Sequence, residues 1–321
     1  MPSLAQTLAL CLLVFFLGYY LGQLAAAPPA PLPSAHLALA GAAAADRTPV
    51  CIHGAGITLA STDPPPAADW RKGYGGPPYH SSSVLEYRGF FQRLARWGFQ
   101  PAFILDVGAN EGNWAQEVYM EMGYSPTILC VEGSSRREEA LSRLGFDFVI
   151  SLVGPQEGHA EFFDNEGWAN TGNSVLKERT SFYAATQPTL TPMRTIDGLM
   201  EEYRQAEEGR EGVHPTLLKL DVQGFELQAL KGAKDTLSHV EVLILETSLL
   251  QYNVGSPLLG EVVIALDCLG FQALDVLGLQ RTGPEQVIIQ EDFAFVRKGS
   301  PLIDRASAGA GIGRRLRQGS S

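Results

Sequence analysis

Between residues 80 and 300 the chain alternates short apolar runs with segments in which apolar residues recur every three or four positions. A short apolar run is typical of a buried strand, and the wider spacing is typical of a helix with one buried face. The predicted strands are 102–107, 127–131, 146–152, 217–222, 240–246, 271–277 and 286–296, and the predicted helices are 84–97, 113–122, 136–144, 196–203, 226–237 and 258–269. This alternation predicts one α/β domain with a mostly parallel sheet covered by helices on both faces.

The first of these strands ends in a glycine-containing loop that leads into a helix, within FILDVGANEG (103–112). Gly108 and Gly112 allow the backbone to approach a ligand closely, because glycine lacks a Cβ atom and tolerates positive φ. Asp106, at the carboxyl end of the strand, can face that ligand, and Asn110 stands between the glycines. The pattern predicts either a nucleotide-type crevice or an ordinary tight turn between strand and helix.

An acidic residue, Glu132, ends the second predicted strand. Its place, roughly two dozen residues past the glycine loop, is where an acid holds the ribose hydroxyls in dinucleotide-type sites. However, Asn110 occupies the position at which a dinucleotide fingerprint has the glycine that admits pyrophosphate. The pattern therefore disfavours a nicotinamide-dependent oxidoreductase.

Charged residues interrupt two predicted strands that are otherwise apolar. Lys219 and Asp221 in LLKLDV are two positions apart, so their side chains project from the same face of the strand. Glu246 ends the apolar run of a neighbouring strand, and Glu226 begins the helix that follows Asp221. Because an unpaired buried charge is costly, we expect these charges to have partners. We predict that Lys219 lies near Glu246, as a structural ion pair or as part of a site, and that Asp221 faces the ligand of the glycine loop.

Six segments resemble, in order and spacing, the FkbM family of S-adenosylmethionine-dependent methyltransferases: ILDVGANEGNW, CVEGS, RTIDGLM, LLKLDVQGFELQALKGA, ILETSLLQY and ALDCLGFQALDV. The resemblance spans residues 101–296, and its most specific part is the KxDxxGxE pattern that begins at Lys219. It implies a Rossmann-like class I methyltransferase fold with an antiparallel last strand, and S-adenosylmethionine as the cofactor. The chain departs from the family at Gly133 and Ser134, where a proline usually follows the acid.

The resemblance also implies roles for individual residues. The implied cofactor-binding residues are Asp106, Gly108, Asn110, Gly112, Glu132 and Ser151, with Glu132 on the ribose hydroxyls. The implied catalytic residues are Asp221, Lys219, Glu246 and Glu226, with Asp221 or Glu246 as the base that accepts a hydroxyl proton. The implied reaction is methyl transfer to a hydroxyl of a sugar, a glycan or a small metabolite. The main alternative is a membrane-tethered module that binds S-adenosylmethionine without catalysis.

The amino-terminal segment predicts a membrane partner. Residues 1–45 contain no Lys, Arg, Asp or Glu, and the apolar stretch 8–27 is long enough to span a bilayer. We expect a single-pass anchor in a membrane of the secretory pathway. One alternative is a signal peptide, because Ala25 and Ala27 fit a small-x-small cleavage pattern, and the protein would then be secreted. The other alternative is an organellar presequence.

Composition limits the remaining possibilities. The chain of 321 residues is 45% hydrophobic, enough for a large core, and its net charge of −11 argues against a nucleic-acid partner. Four scattered cysteines suggest neither a disulfide framework nor a zinc site, and no metal is predicted. The predicted organisation is a membrane anchor or signal peptide (1–27), a Pro/Ala/Gly-rich linker (28–79), the α/β domain (80–300) and a disordered basic tail (301–321).

Overall fold

A computed structural model of the chain describes residues 50–52, 55–57, 83–165, 170–179, 183–282 and 285–310. These residues belong to one compact unit, Thr48–Ser321. The predicted amino-terminal anchor and nearly all of the linker lie outside the described residues. None of the helices in the described part combines the length and the apolar character that crossing a membrane requires.

The strands are β1 (Val50–Ile52), β2 (Ala55–Ile57), β3 (Phe103–Val107), β4 (Thr127–Glu132), β5 (Asp147–Ile150), β6 (Leu152–Val153), β7 (Gly158–Phe162), β8 (Thr189–Arg194), β9 (Leu217–Leu220), β10 (Val242–Ser248), β11 (Phe271–Thr282) and β12 (Val287–Arg297). The α-helices are α1 (Ser83–Arg96), α2 (Asn113–Glu121), α3 (Glu138–Ser142), α4 (Ile196–Gln205), α5 (Glu226–Lys231), α6 (Lys234–His239), α7 (Leu259–Cys268) and α8 (Pro301–Gly309). Short 3-10 turns cover Ser135–Arg137 and Asn170–Gly172.

The central sheet has seven strands in the order β11-β12-β10-β9-β3-β4-β5. Strand β12 is antiparallel to both of its neighbours, and the other neighbouring strands are parallel. This confirms the predicted fold class, a Rossmann-like α/β fold with a mostly parallel sheet and an antiparallel last strand. The chain runs outward from β3 through β4 to β5 and then returns to β9 on the other side of β3. This reversal opens a crevice at the carboxyl ends of β3 and β9.

Two apolar cores lie on the opposite faces of the sheet, because successive side chains of a strand point to opposite sides. Phe103, Leu105 and Val107 of β3 enter the core formed with α4, α5, α6 and α7. Ile104 enters the other core, formed with α1, α2, α3 and α8. Asp106 has the same parity as Ile104, so its carboxyl group lies on this second, aromatic-rich face.

The strand–helix alternation is interrupted between Gly154 and Pro192, and this segment forms most of a second, smaller sheet. Its strand order is β6-β8-β7, with β6 parallel and β7 antiparallel to β8. Leu152, Phe162 and Met193 form its own small apolar cluster. This sheet and residues 170–179 stand over the carboxyl edge of the central sheet and form one wall of a cleft.

Three segments differ from the sequence prediction. The strand expected over 146–152 is divided into β5 of the central sheet and β6 of the smaller sheet. The single helix expected over 226–237 is divided into α5 and α6, because the chain bends at Gly232, where a Cβ atom would lie 2.2 Å from the carbonyl oxygen of Gly154. The tail expected to be disordered begins with helix α8. Ser300 caps this helix by accepting a hydrogen bond from the Leu302 backbone amide, and Leu302 packs into the core.

Candidate functional site

The glycine loop, residues 108–112, crosses the end of β9 in direct contact with its backbone. Gly108 has φ +81°, and a Cβ atom at this position would lie 1.8 Å from the carbonyl oxygen of Asp221. The amides of Gly108 and Ala109 donate hydrogen bonds to the carbonyl oxygen of Val131, at 2.8 and 3.1 Å. The positive φ and the close contact both require glycine at position 108. Glycine there allows the backbone of the loop to lie against the end of β9.

Glu132 binds the glycine loop through its carboxylate. One oxygen accepts a hydrogen bond from the Asn110 amide and the other from the Ser134 amide, both at 2.8 Å. Burial raises the pKa of Glu132, and these two backbone hydrogen bonds oppose the increase. Each carboxylate oxygen retains a lone pair for a further donor. Glu132 and Asn110 both line the cleft, as predicted for a ribose-binding acid and the loop beside it.

Two other predicted cofactor residues differ in their relation to the cleft. Ser151 lines it, and its hydroxyl donates to the carbonyl oxygen of Leu152 at 2.8 Å. Gly112 is not among the lining residues: it precedes α2 with φ +77°, and a Cβ atom there would lie 2.3 Å from the Leu144 side chain. The structure therefore places Ser151 at the cleft and Gly112 in the packing behind the loop.

The buried cation Lys219 lies between two carboxylates. Its ammonium nitrogen is 3.2 Å from Asp221 and 3.6 Å from Asp106. Asp106 is fully buried, and burial raises its pKa to about 6 against the opposing charge of Lys219. Burial lowers the pKa of Lys219, but the charges of Asp221 and Asp106 outweigh this and raise it above the ordinary value. Asp106 was predicted to face the ligand, but it is buried behind the cleft and does not line it, whereas the Asp221 side chain is 29% exposed and does.

The predicted ion pair between Lys219 and Glu246 does not form, although the Lys219 charge is near enough to oppose the rise in the pKa of Glu246. Lys219 stands opposite Asp106 on β3 and opposite Ile244 on β10. Glu246 is two residues farther along β10, beyond the end of its pairing with β9. The register of the parallel strands therefore directs the Lys219 ammonium group to Asp106 and Asp221.

Glu246 instead accepts hydrogen bonds from two amide side chains. Gln223 and Gln290 each donate through Nε2 to one of its carboxyl oxygens. Burial raises the pKa of Glu246 well above the usual range, and the charges of Asp221 and Asp292 raise it further. The Gln223 amide also donates to Asp221 at 2.9 Å. One side-chain amide thus links the two acids that we considered as the general base.

Gln223 is held in place from several directions. It has φ +55°, a left-handed conformation that is uncommon for a residue other than glycine. Its backbone carbonyl accepts hydrogen bonds from the side chains of Asn253 at 2.7 Å and Ser174 at 3.0 Å. Its side-chain carbonyl accepts one from the Tyr252 hydroxyl at 3.0 Å. Buried partners therefore hold the amide between Asp221 and Glu246.

Glu226, implied to be a catalytic residue, lies behind the cleft wall. It is 2% exposed, and one carboxyl oxygen accepts hydrogen bonds from the Val222 and Gly224 amides, both at 3.0 Å. Burial raises its pKa to about 7, although these backbone hydrogen bonds favour the charged form. Glu226 is not a lining residue. In the structure it stabilises the turn that carries Gln223.

Asp292 is a site residue that sequence reasoning missed. It lies opposite Glu246 on the antiparallel strand β12 and lines the cleft. Burial and the charge of Asp221 raise its pKa to about 6. The available signal was the polar group Gln290, Glu291 and Asp292 between the apolar ends of VIIQEDFAFV, an interruption similar to the one that identified Lys219 and Asp221.

The cleft that these residues line has a volume of about 260 Å³. Its described acidic residues are Glu132, Glu178, Asp221, Glu246, Glu291 and Asp292. No Lys, Arg or His occurs among the described lining residues. Uncharged polar side chains, such as Asn173 and Gln280, complete the wall. The arrangement provides many hydrogen-bond acceptors and an excess of acidic groups, which favours polyhydroxylated or positively charged ligands.

Comparison with known proteins gives a family match over the part of the chain that forms this site. Residues 106–275 match the FkbM methyltransferase domain. A search of curated proteins gives no significant match.

One solved structure that resembles the chain is the FkbM methyltransferase from Methylobacillus flagellatus KT, with 15% sequence identity and a TM-score of 0.35. The match covers 59% of this chain and 42% of the M. flagellatus chain. Another is the magnesium protoporphyrin IX methyltransferase from Synechocystis PCC 6803 with bound SAM, with 13% identity and a TM-score of 0.34, covering 72% of this chain and 90% of that one.

Proposed function

This chain belongs to the FkbM methyltransferase domain family, whose methyl donor is S-adenosylmethionine, and from this premise we propose that it methylates a hydroxyl group of a sugar, a glycan or a small metabolite. We further propose that the acceptor is neutral or positively charged. The observation that carries the proposal is the contact between Gly108 and Asp221, which joins the predicted cofactor loop to the candidate base.

The residues at the cleft fit S-adenosylmethionine. The Glu132 carboxylate can accept hydrogen bonds from ribose hydroxyls in addition to those from the Asn110 and Ser134 amides. The loop at Gly108 and Asn110, together with Ser151, would form the rest of the binding surface. When bound, the cofactor supplies an electrophilic methyl group on a positively charged sulfur. A cleft lined by acids and lacking cations among its described residues suits that charge.

We assign the proton-accepting role to Asp221. Its carboxylate faces the cleft and is positioned by the Lys219 ammonium group at 3.2 Å and the Gln223 amide at 2.9 Å. A carboxylate held in this way can take the proton of an acceptor hydroxyl, a contribution worth about 100- to 10,000-fold in rate. Positioning of the acceptor oxygen would supply much of the remaining acceleration.

Glu246 is assigned a binding role. Its raised pKa favours the protonated carboxyl, which can both donate and accept hydrogen bonds. With Gln290 and Asp292 beside it, this wall offers several polar groups to an acceptor that carries more than one hydroxyl. A phosphate or sulfate group would meet the Asp221 and Asp292 carboxylates with no described lining cation to compensate, and would be rejected.

The test is transfer of label from methyl-labelled S-adenosylmethionine by the full-length protein. Three acceptor pools are compared: neutral polyols and glycans, amine-bearing sugars, and phosphorylated or acidic sugars. We expect label in the first or second pool, and we expect it to resist mild alkali, because a methyl ether is stable where a methyl ester is hydrolysed. Label confined to the anionic pool, or released by alkali, would refute the proposed acceptor.

The variant Asp221→Asn is the internal control for this experiment. It keeps the size and shape of the side chain but cannot accept the proton as a carboxylate does. We expect label transfer to fall by about 100-fold or more while calorimetry detects unchanged binding of S-adenosylmethionine. Asp267→Asn, a change to an exposed acid on α7, should leave both unaffected. Binding without transfer by the wild-type protein to any pool would favour the alternative of a non-catalytic binding module.

We also propose that the amino-terminal segment 1–27 attaches the protein to a membrane of the secretory pathway. Support comes from the uncharged, apolar sequence alone. Alkaline carbonate extraction of cells that express the full chain would test it. The protein should stay with the membrane pellet, and its release as a shortened soluble form would favour the secreted alternative.

A further inference from the structure

Two histidines and an aspartate converge at the edge of the sheet opposite the cleft. His214 lies in the connection that enters β9, while Asp235 and His239 lie on α6, just before β10. Asp235 and His239 are four positions apart, so they share one face of the helix. The cleft residue Asp221 follows the other end of β9. The cluster is therefore separated from the candidate active site by the length of the strand.

The side chains of this cluster are close enough to share one ligand. One ring nitrogen from each histidine and one carboxylate oxygen of Asp235 all lie within 4.8 Å of one another. The two imidazole rings stack with centroids 3.5 Å apart and planes 15° apart. Asp235 and His239 are exposed, so small rotations of their side chains can direct these atoms to one point.

The stacking of the two imidazole rings disfavours a positive charge on both of them. Two stacked imidazolium rings would repel each other, so the contact favours a neutral ring. Neutral imidazole is the form that binds a metal ion.

A cation already borders the cluster. The Arg204 guanidinium is 3.4 Å from the Nδ1 atom of His214 and 3.9 Å from the Asp235 carboxylate. Its nearer partner is Glu201, at 2.8 Å, on the same helix. Arg204 can therefore stay paired with Glu201 when a metal ion takes over its contacts with His214 and Asp235.

We propose that His214, Asp235 and His239 form a binding site for a transition-metal dication of the zinc type. Two imidazole nitrogens and one carboxylate suit zinc, nickel or cobalt, whereas magnesium and calcium prefer sites made of oxygen ligands. The bound ion joins the connection between α4 and β9 to helix α6. Its role is structural, since it binds at the edge of the sheet that is opposite the cleft.

The test is calorimetric titration of the full-length protein with ZnCl₂ near pH 7.5. One Zn²⁺ should bind per chain through this cluster. His214→Gln and His239→Gln should each weaken that binding by at least tenfold. His159→Gln, which alters an exposed histidine on β7, is the matched control and should bind as the wild type does. MgCl₂ should produce no binding heat at the same concentrations.

Thermal unfolding gives a second readout that does not depend on activity. ZnCl₂ should raise the Tm of the wild type and of His159→Gln, and it should raise the Tm of His239→Gln and Asp235→Asn far less. Unchanged binding of S-adenosylmethionine by each variant would establish that it is folded. The proposal is overturned if the His214 and His239 variants bind Zn²⁺ as tightly as the wild type, or if the wild type binds none.

Discussion

A Cβ atom on Gly108 would lie 1.8 Å from the backbone carbonyl oxygen of Asp221, well inside the contact distance of two atoms. The Asp221 amide also donates to the carbonyl oxygen of Val107, at 2.9 Å. These contacts join the end of β3 to the end of β9. The absence of a side chain at position 108 therefore allows the predicted cofactor loop to lie in contact with the backbone of the candidate base, Asp221.

Gly108→Ala should destabilise the fold strongly. The substitution adds a steric clash with backbone to the strain of a positive φ, and we expect the free energy of unfolding to fall by more than about 3 kcal/mol. The control is Gly98→Ala, because Gly98 has nearly the same φ, +83°, with no atom within 4 Å of its Cβ position. That change introduces strain alone and should cost about 1–2 kcal/mol. Urea unfolding measures the free energy of unfolding of each variant. An equal decrease for Gly108→Ala and Gly98→Ala would argue against the backbone contact.

Glu132→Gln should weaken binding of S-adenosylmethionine. A glutamine has one acceptor oxygen where Glu132 uses two, so either the Asn110 or the Ser134 amide loses its partner. The variant should also bind ribose hydroxyls less well. We expect at least a tenfold rise in Kd by calorimetry. Glu139→Gln makes the same change at an exposed salt bridge with Arg143 and should leave the Kd unchanged.

Gln223→Asn should lower kcat more than it changes binding of the cofactor. Asparagine tolerates the left-handed backbone but is one methylene shorter, so its amide cannot reach both Asp221 and Glu246. We expect kcat to fall about tenfold or more and its pH dependence to change, because one link between the two acids is lost. Gln286→Asn is the matched control, since Gln286 has a similar φ of +54° in the β11–β12 turn. An unchanged pH profile would contradict a positioning role.

Glu226→Gln should remove a pH dependence of stability. The folded state raises the pKa of Glu226 from 4.5 to about 7, so it holds the proton more tightly than the unfolded chain. The resulting stabilisation is complete below about pH 4.5 and is lost as the pH rises through about 7. The free energy of unfolding of the wild type, relative to the variant, should therefore decrease by up to about 3 kcal/mol across this window.

Denaturant unfolding between pH 4.5 and 8 measures this difference. Glu117→Gln alters an exposed glutamate on α2 and should run parallel to the wild type. If Glu226→Gln also ran parallel to the wild type, the carboxyl group would not hold an extra proton in the folded state. Asp106 and Asp292 also have raised pKa values and remain in both proteins, so they cancel in the comparison.

The cofactor side of the cleft could be predicted because its signals are local. Each of these signals can be recognised within a window of about ten residues. They are the apolar run into Asp106, the glycines after it and the acid at the end of the next strand. The structure places Gly108, Asn110 and Glu132 at the cleft, whereas Asp106 and Gly112, predicted from the same signals, lie behind it. It also brings Asp221 to the same cleft, because parallel strands end at one edge of a sheet.

The sequence by itself determined which residues carry charge into the core, but the tertiary structure decided which groups they meet. Strand register selected Asp106 and Asp221 rather than Glu246 as the partners of Lys219. The antiparallel pairing of β12 with β10 placed Asp292 opposite Glu246. The turn after β9 placed Glu226 behind the residues that line the cleft. Periodicity specifies the face of a strand on which a side chain lies. It does not specify the register between distant strands, which is settled only when they pack together.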